Sequence, residues 1–318
     1  MIAEVVVARR LWWHGREKRL AEIAFILIVG VWGVSFVFTK NALTEIGPFA
    51  YNSLRMGIGA VCLAVMAGRQ WRQVKWWWGV PVVLLGAILL GGYSLQSFGQ
   101  QFTTASKAGF LTGINVVYVP LFAAVLLRRW PSRFQILGVV LAFVGLSLIA
   151  VEGDWRQLQF GRGDGYVAAS GLFWALYVIV LSHSAQRMPI LPFAALHVGT
   201  AALGSSLLWL WQEPQAIAWN APNLWVGVLV TGVIILGVGT SVQAQLLRLV
   251  DPTRAALIAT LEPLFAAGAG WLVGEVLTTA VLIGGTLILF GMVASELGQG
   301  SRGAGEKESK RVSDRLRD

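Results

Sequence analysis

The stretch AEIAFILIVGVWGVSFVFTKNA, residues 21–42, decides the fold. After Glu22 it carries no charge until Lys40. A helix rises about 1.5 Å per residue, so roughly 20 such residues cross the roughly 30 Å hydrocarbon layer of a bilayer. The run reads as a membrane span. Five Lys or Arg precede it, and no small-residue cleavage pattern follows, so it is expected to be an uncleaved first span rather than a signal peptide. Extending the same reading along the 318 residues gives ten candidate spans, near 21–42, 48–68, 77–98, 105–127, 134–151, 164–184, 190–211, 224–247, 253–273 and 277–296.

The totals agree with a chain solvated mainly by lipid. Hydrophobic residues make up 56% and charged residues 13%, against about 25% charged in a soluble domain. The formal charge of +9 does not form a basic stripe on a folded face, so nucleic acid is not an expected partner. Cys62 is the only cysteine and lies in an apolar run, which excludes disulfide frameworks and cysteine-rich metal sites. No metal and no cofactor is expected.

The cations test the span count. If the N-terminus is cytoplasmic and there are ten spans, 20 of the 25 Lys and Arg fall in the N-terminal segment, the alternate loops and the C-terminal tail. Only Lys40, Lys107, Arg156 and Arg162 fall on the other side, with Arg55 inside a span. Positive charge collects on the cytoplasmic side of membrane proteins, so both termini are expected to be cytoplasmic, in the plasma membrane (the inner membrane of a bacterium). The tail, 297–318, combines Gly, Ser and mixed charge and reads as disordered.

The chain also resembles itself. Gly86-Ala-Ile-Leu-Leu-Gly91 matches Gly232-Val-Ile-Ile-Leu-Gly237 at a shift of 146, and the same shift carries Gly138 and Gly145 onto Gly284 and Gly291. At 147, Asn115 falls opposite Glu262; at 142, Trp32 falls on Trp174. Each half holds five candidate spans, an odd number, so the second copy enters the membrane inverted. The expected fold is therefore an all-α integral membrane protein with ten transmembrane helices in two inverted five-helix repeats, 21–151 and 164–296. A basic cytoplasmic segment, 1–20, precedes them and an extracytoplasmic connector, 152–163, joins them.

Several motifs carry a family likeness: Val31-Trp-Gly-Val-Ser35, Leu54-Arg55, Leu111-Thr-Gly-Ile-Asn115 with Pro120, and Leu261-Glu-Pro-Leu-Phe265 followed by Gly274-Glu275. On these the chain resembles the EamA family of the drug/metabolite transporter (DMT) superfamily over about residues 21–296. The resemblance implies a central cavity and export of amino acids or related metabolites. The chain departs from a symmetric pattern in one respect: Glu262-Pro263 has no copy in the first half, where Asn115-Val116 stands.

Polar groups at hydrocarbon depth are costly and mark candidate sites, expected near the midplane between the halves. Glu262 is the candidate carboxylate for a cationic group or a coupling proton; the competing reading is a carboxyl that shapes a Pro263 kink. Arg55 is a candidate anchor for a substrate carboxylate, or else it snorkels outward or pairs with Glu45, whereas Lys40 is expected to snorkel. Trp32 and Trp174 read either as facing aromatic walls or as packing, with Tyr177 on the face of Trp174. Tyr93, Gln96 and Gln100 form a polar stripe with Gln243 and Gln245 at matching places in the other half; they line a wet path or tie helices together. Ser35, Asn115 and Tyr118 complete the candidate substrate-binding set. His197 reads as a satisfied structural imidazole or a proton relay.

The expected function follows by elimination as well as by resemblance. The sequence has no phosphate-loop pattern for ATP, no His-Glu-x-x-His zinc pattern and no Gly-x-Ser-x-Gly elbow, so neither ATP-driven pumping nor a membrane enzyme is favoured. The expectation is a secondary transporter for a small molecule, with protons as a candidate coupling ion and the bilayer as its other partner. The competing reading is a membrane receptor or structural component without transport activity, for which the loops leave little room.

Overall fold

The computed structural model describes residues 2–103, 105–113, 115–128, 130–150, 162–213, 217, 219–250, 252–272, 279–280, 282–291 and 294, with side chains from residue 17 onward at most of these positions. Among them the chain is helical with short connections and no strand. The helices are α1 (Ile2–Ala42), α2 (Pro48–Ala67), α3 (Gly79–Gln100), α4 (Ala105–Thr112), α5 (Asn115–Leu127), α6 (Arg133–Ala150), α7 (Arg162–Ala185) and α8 (Ile190–Gln212). They continue with α9 (Pro222–Leu229), a π-helical segment (Val230–Gly239), α10 (Thr240–Leu249), α11 (Pro252–Ala259), α12 (Glu262–Leu272) and α13 (Leu282–Gly291).

Among the described residues six segments are long and apolar enough to cross a membrane: Glu17–Ala42, Pro48–Gln73, Trp76–Gln100, Arg162–Ala185, Ile190–Gln212 and Pro222–Leu249. The expected fourth and ninth spans differ from the sequence reading. Each is two helices, broken around Gly113 in the first half and at Thr260-Leu261 in the second. Pro263 explains the second break, because its ring would clash with the carbonyl four residues back and it lacks an N–H to donate. It stands in the first turn of α12, where no N–H is needed, rather than at the kink of one continuous helix. Gly113 weakens the corresponding place in the first half. The expected fifth span is present as α6, and α13 covers part of the tenth. Residues 152–161 of the expected connector 152–163, the Gly274-Glu275 pair and the tail from 297 lie outside the described residues, while Arg162 and Gly163 of that connector begin α7. α1 also reaches back through the basic N-terminal segment to Ile2, well before the expected start.

Prolines set three further helix starts, Pro48, Pro222 and Pro252. α2 has an additional device. The Glu213 carboxylate, just beyond the end of α8, accepts the Phe49 N–H at 3.1 Å and the Ala50 N–H at 3.0 Å, capping α2 from a distant part of the chain. Gly68 ends α2 with φ +46, the left-handed conformation that favours glycine. Large apolar side chains face outward, for example Val65, Leu203, Leu207 and Leu210, as expected of surfaces that meet lipid tails.

The interhelix contacts come in mates when the first half is matched to the second. α2 packs on α8, its own counterpart. The contact of α3 with α7 is matched by that of α1 with the π segment and α10, and the contact of α1 with α12 is matched by that of α7 with α5. Single residues repeat the relation. Lys40 Nζ donates to the Gln101 carbonyl at 3.0 Å, and Gln186 Nε2, 146 residues on, donates to the Leu247 carbonyl, also 146 on, at 3.1 Å. Gly145 lies against the Gly284 carbonyl and Gly291 against the Gly138 carbonyl, which is one contact made twice by the repeat-related glycines. The halves thus sit in an approximate two-fold relation.

Close approach between halves makes a stability prediction. A Cβ on Gly59 would lie 2.6 Å from Leu236 Cβ and 2.9 Å from the Gly232 carbonyl, whereas one on Gly57 would meet nothing within 4 Å. Gly59→Leu is expected to lower stability by about 1–3 kcal/mol and Gly57→Ala to leave it within about 0.5 kcal/mol, read as unfolding midpoints of the detergent-solubilised protein.

Candidate functional site

A cavity lies where α1, α3, α7 and the π segment with α10 surround the two helix breaks. Its walls carry Trp32, Ser35, Phe36 and Thr39 from α1, Arg55 from α2, and Tyr93, Gln96 and Gln100 from α3. Across from these stand Trp174 and Tyr177 from α7 and Thr240 and Gln243 from α10. The breaks contribute Thr112 and Asn115 from one half, Ala259 and Glu262 from the other. The free volume is about 70 Å³, well below the roughly 300–1,000 Å³ of sites that enclose a whole small molecule. A metabolite is accommodated there only when the walls part.

Arg55 is 3% exposed and is held from several sides. Its Nε donates to Asn52 Oδ1 at 2.9 Å and its terminal nitrogen to Ser97 Oγ at 3.2 Å. Ser97 Oγ also donates to Asn52 Oδ1 at 3.0 Å, and Asn52 Nδ2 donates to the Tyr93 carbonyl at 3.2 Å. The guanidinium carbon lies 4.1 Å from the centre of the Tyr93 ring and 4.8 Å from that of Tyr51. Neutral partners and π faces therefore solvate this cation without neutralising it. The expected outward snorkelling and pairing with Glu45 are not found. Glu45 borders an outer pocket, and Asn52, one helical turn from Arg55, takes the role of partner. Lys40 does not snorkel either: it donates to the Gln100 and Gln101 carbonyls at 2.9 and 3.0 Å and so caps α3.

Glu262 is the first residue of α12, so the break itself presents its carboxyl to the cavity. No donor or cation among the described residues contacts that carboxyl. Gly33 makes the arrangement possible, since a Cβ there would lie 2.5 Å from the Glu262 carbonyl and 2.8 Å from the Ala266 nitrogen. The small residue of the Trp32-Gly33 motif lets α1 press against the start of α12. Asn115 starts α5 in the same way at the other break. One cavity thus holds an uncompensated guanidinium and an unpaired carboxyl group.

Aromatic rings form much of the wall. Tyr93 meets Trp174 edge-on at 4.6 Å between centroids, Trp174 meets Tyr177 at 6.1 Å, and Phe25 meets Trp32 at 5.5 Å. The indole N–H groups of Trp32 and Trp174, the repeat-related pair, are both buried without an acceptor among the described residues. Behind Tyr177 stands His197, fully buried and off the cavity. Its Nδ1 lies 2.8 Å from the Phe193 carbonyl, which can only accept, so Nδ1 carries a proton. In the neutral ring Nε2 then accepts from the Tyr177 hydroxyl at 3.1 Å. His197 has partners at both nitrogens and reaches the cavity only through Tyr177.

The structure thus brings eleven of the fourteen candidate residues to one cavity and leaves three outside, His197, Tyr118 and Gln245. Tyr118 stacks on Phe122 at 6.3 Å and packs against the apolar core; among the described residues of α5 only Asn115 lines the cavity. Gln96 and Gln100 do both things anticipated of them. They line the cavity and tie helices together, Gln96 to Thr112 at 3.1 Å and Gln100 to the Phe36 carbonyl at 2.8 Å. Gln245 faces a different pocket. Thr112 and Thr240 were missed, although each lies three residues before a recognised polar position, Asn115 and Gln243, and the latter pair shares a helix face.

Comparison with known proteins gives a consistent picture. The EamA-like transporter family matches residues 19–151 and again 161–295. A protein of Archaeoglobus fulgidus named "Uncharacterized transporter" is 25% identical over 298 residues, covering 89% of this chain and 88% of its own length. A protein of Streptantibioticus cattleyicolor named "Probable terminal-alkyne amino-acid exporter" is 24% identical over 281 residues, covering 85% of this chain and 91% of its own. One crystal structure superposes with a TM-score of 0.71 at 20% identity, over 89% of this chain and 97% of the other, which shows a shared fold.

The Asn52 network makes a second prediction. Asn52→Ala deletes the acceptor shared by Arg55 and Ser97 and the donor to Tyr93. It is expected to cost about 2 kcal/mol or more because a buried cation loses a partner, read as a lowered unfolding midpoint beside an unchanged Asn41→Ala control at an exposed position.

Proposed function

Since the chain belongs to the EamA-like transporter family, we propose that it is a secondary carrier that exports a small amino-acid or amine-like metabolite. In this reading ten spans form two inverted five-helix halves, 21–151 and 164–296, with both termini in the cytoplasm. The cavity alternates between the two sides of the membrane. The observation that carries the reading is the pairing of opposite, uncompensated charges in one aromatic-walled cavity: Arg55, solvated but not neutralised, and Glu262, without a partner among the described residues. An amino acid offers the complement, a carboxylate for the guanidinium and an ammonium for the carboxyl. Its side chain rests against Trp32 and Trp174. The name of the Streptantibioticus relative points to the same class of substrate.

Glu262 also supplies a means of coupling. A carboxyl group in a low-dielectric cavity is costly as a bare anion, so when the ammonium departs a proton takes its place. Outward release of the amine with inward return of the proton is then one cycle of a proton-exchange carrier. Tyr177, Ser35, Gln96, Asn115 and Gln243 orient the substrate by hydrogen bonds. His197 contributes by fixing the Tyr177 hydroxyl rather than by relaying the proton itself.

The test is efflux of labelled amino acids from proteoliposomes under an imposed pH gradient. Saturable efflux is expected. Glu262→Gln, which keeps shape and removes the titrating group, is expected to slow it by about tenfold or more, corresponding to about 1.4 kcal/mol or more, and to flatten its dependence on pH. Arg55→Lys is expected to raise the half-saturating concentration by about tenfold through loss of bidentate geometry. Efflux by Glu262→Gln with the wild-type rate and pH profile would remove the carboxyl from the mechanism.

A further inference from the structure

We propose that a second, polar pocket running along α10 from Ser241 to Arg248 binds a phosphate group at the cytoplasmic membrane surface. The pocket has a volume of about 650 Å³ and shares no wall residue with the central cavity. It lies between the end of α2, the α7–α8 connection and α10. Adjacent residues of α10 divide the two sites: Thr240 and Gln243 face the centre, whereas Ser241 and Gln245 face this pocket. The side placed in the cytoplasm follows from the orientation proposed above, but the pocket and its chemistry do not depend on transport.

The lining is cationic and rich in neutral donors. Arg187 and Arg248 carry its charge, Gln70, Gln73 and Gln245 supply amides, and no carboxylate stands in the wall among the described residues. Arg248 is fixed in place by its own hydrogen bonds. Its Nε and a terminal nitrogen each donate at 2.5 Å, to the Ala185 and Met188 carbonyls, so the guanidinium both caps α7 and holds one wall. Gln186 ties the same connection to α10 through the Leu247 carbonyl. The Arg187 side chain is exposed and meets no acceptor among the described residues. A preformed concavity with two guanidinium groups and several amides, and with no anion of its own among the described residues, fits the tetrahedral oxygens of a phosphate.

The depth of the pocket narrows the source of that phosphate. Gln70 and Gln73 belong to the 3₁₀ turn Gly68–Gln73, which contains Trp71 and is followed by Trp76–Trp78. Trp76 is 93% exposed, as is fitting for a ring that lies among lipid headgroups rather than in a protein core. The inner leaflet is where anionic phospholipids concentrate, and basic pockets between spans on that side are known to hold their headgroups. A lipid phosphodiester reaches the pocket from the leaflet; a soluble phosphate reaches it from the cytoplasm.

The experiment uses the full-length, delipidated protein in a neutral detergent, with the unfolding midpoint followed during titration with dihexanoylphosphatidylglycerol, dihexanoylphosphatidylcholine or inorganic phosphate. A saturable upward shift with phosphatidylglycerol is expected, at least about fivefold weaker in apparent affinity for Arg187→Ala and absent for Arg187→Glu. Arg72→Glu, a charge reversal on the same face outside the pocket, is expected to bind like the wild type. The same saturable shift with inorganic phosphate, sensitive to Arg187, assigns the site to soluble phosphate, and a shift with the lipid alone assigns it to the headgroup. No saturable shift with either phosphatidylglycerol or inorganic phosphate overturns the proposal, as does an Arg187 insensitivity or an equal loss in Arg72→Glu. Because no substrate is present, these results stand apart from the efflux assay.

Discussion

Hydrocarbon cannot solvate a polar group, and the interior of this protein is organised around that constraint. Most polar side chains buried in a span either find a protein partner or border the cavity, Ser94 and the Trp78 indole N–H being exceptions among the described residues. Asn52, Ser97 and two tyrosine rings exist together around Arg55 because a lone guanidinium at that depth would cost several kcal/mol. Gln100 reaches back to the Phe36 carbonyl and Lys40 to the end of α3 for the same reason. Glu262, with no such partner among the described residues, therefore stands out against a background in which partners are the rule.

Duplication supplies the framework and divergence supplies the chemistry. The glycine contacts, the Lys40 and Gln186 bonds and the two helix breaks recur in both halves. The residues at the breaks do not: Asn115 begins α5 where Glu262 begins α12. The cap at the end of α3 is made by a charged amine and its mate at the end of α10 by a neutral amide. A fold that repeats its packing keeps its two-fold geometry, while unlike side chains at matching places give the centre a direction from one charge to the other.

Much of this was legible in the sequence because membrane thickness imposes a length. Runs of apolar residues located the long helices to within a few positions, and the 147-residue shift that sets Asn115 opposite Glu262 also matches the two breaks. Depth in a span was a good guide to the cavity for Trp32, Tyr93, Trp174 and Gln243. It failed for Tyr118, since the helix that begins at the centre turns Asn115 to the cavity and Tyr118 to the apolar core. It also failed to foresee the environment of Arg55, because Ser97 and Tyr93 come from another helix and such neighbours leave no mark on local spacing. Pro263 was recognised as disruptive, yet whether a proline kinks one helix or opens a second depends on packing around it, here the contact with Gly33.

The two broken helices also have a mechanical meaning. A continuous rod through the bilayer transmits any tilt at one surface to the other, so opening one end would strain the opposite closure. At Gly113 and at Thr260-Leu261 the backbone ladder is interrupted, and each pair of half-rods meets at a joint instead. The outer and inner segments can then swing separately. In the proposed carrier cycle one entrance would widen while the other holds still, and the joint, which carries Asn115 and Glu262 to the cavity, would move least of all.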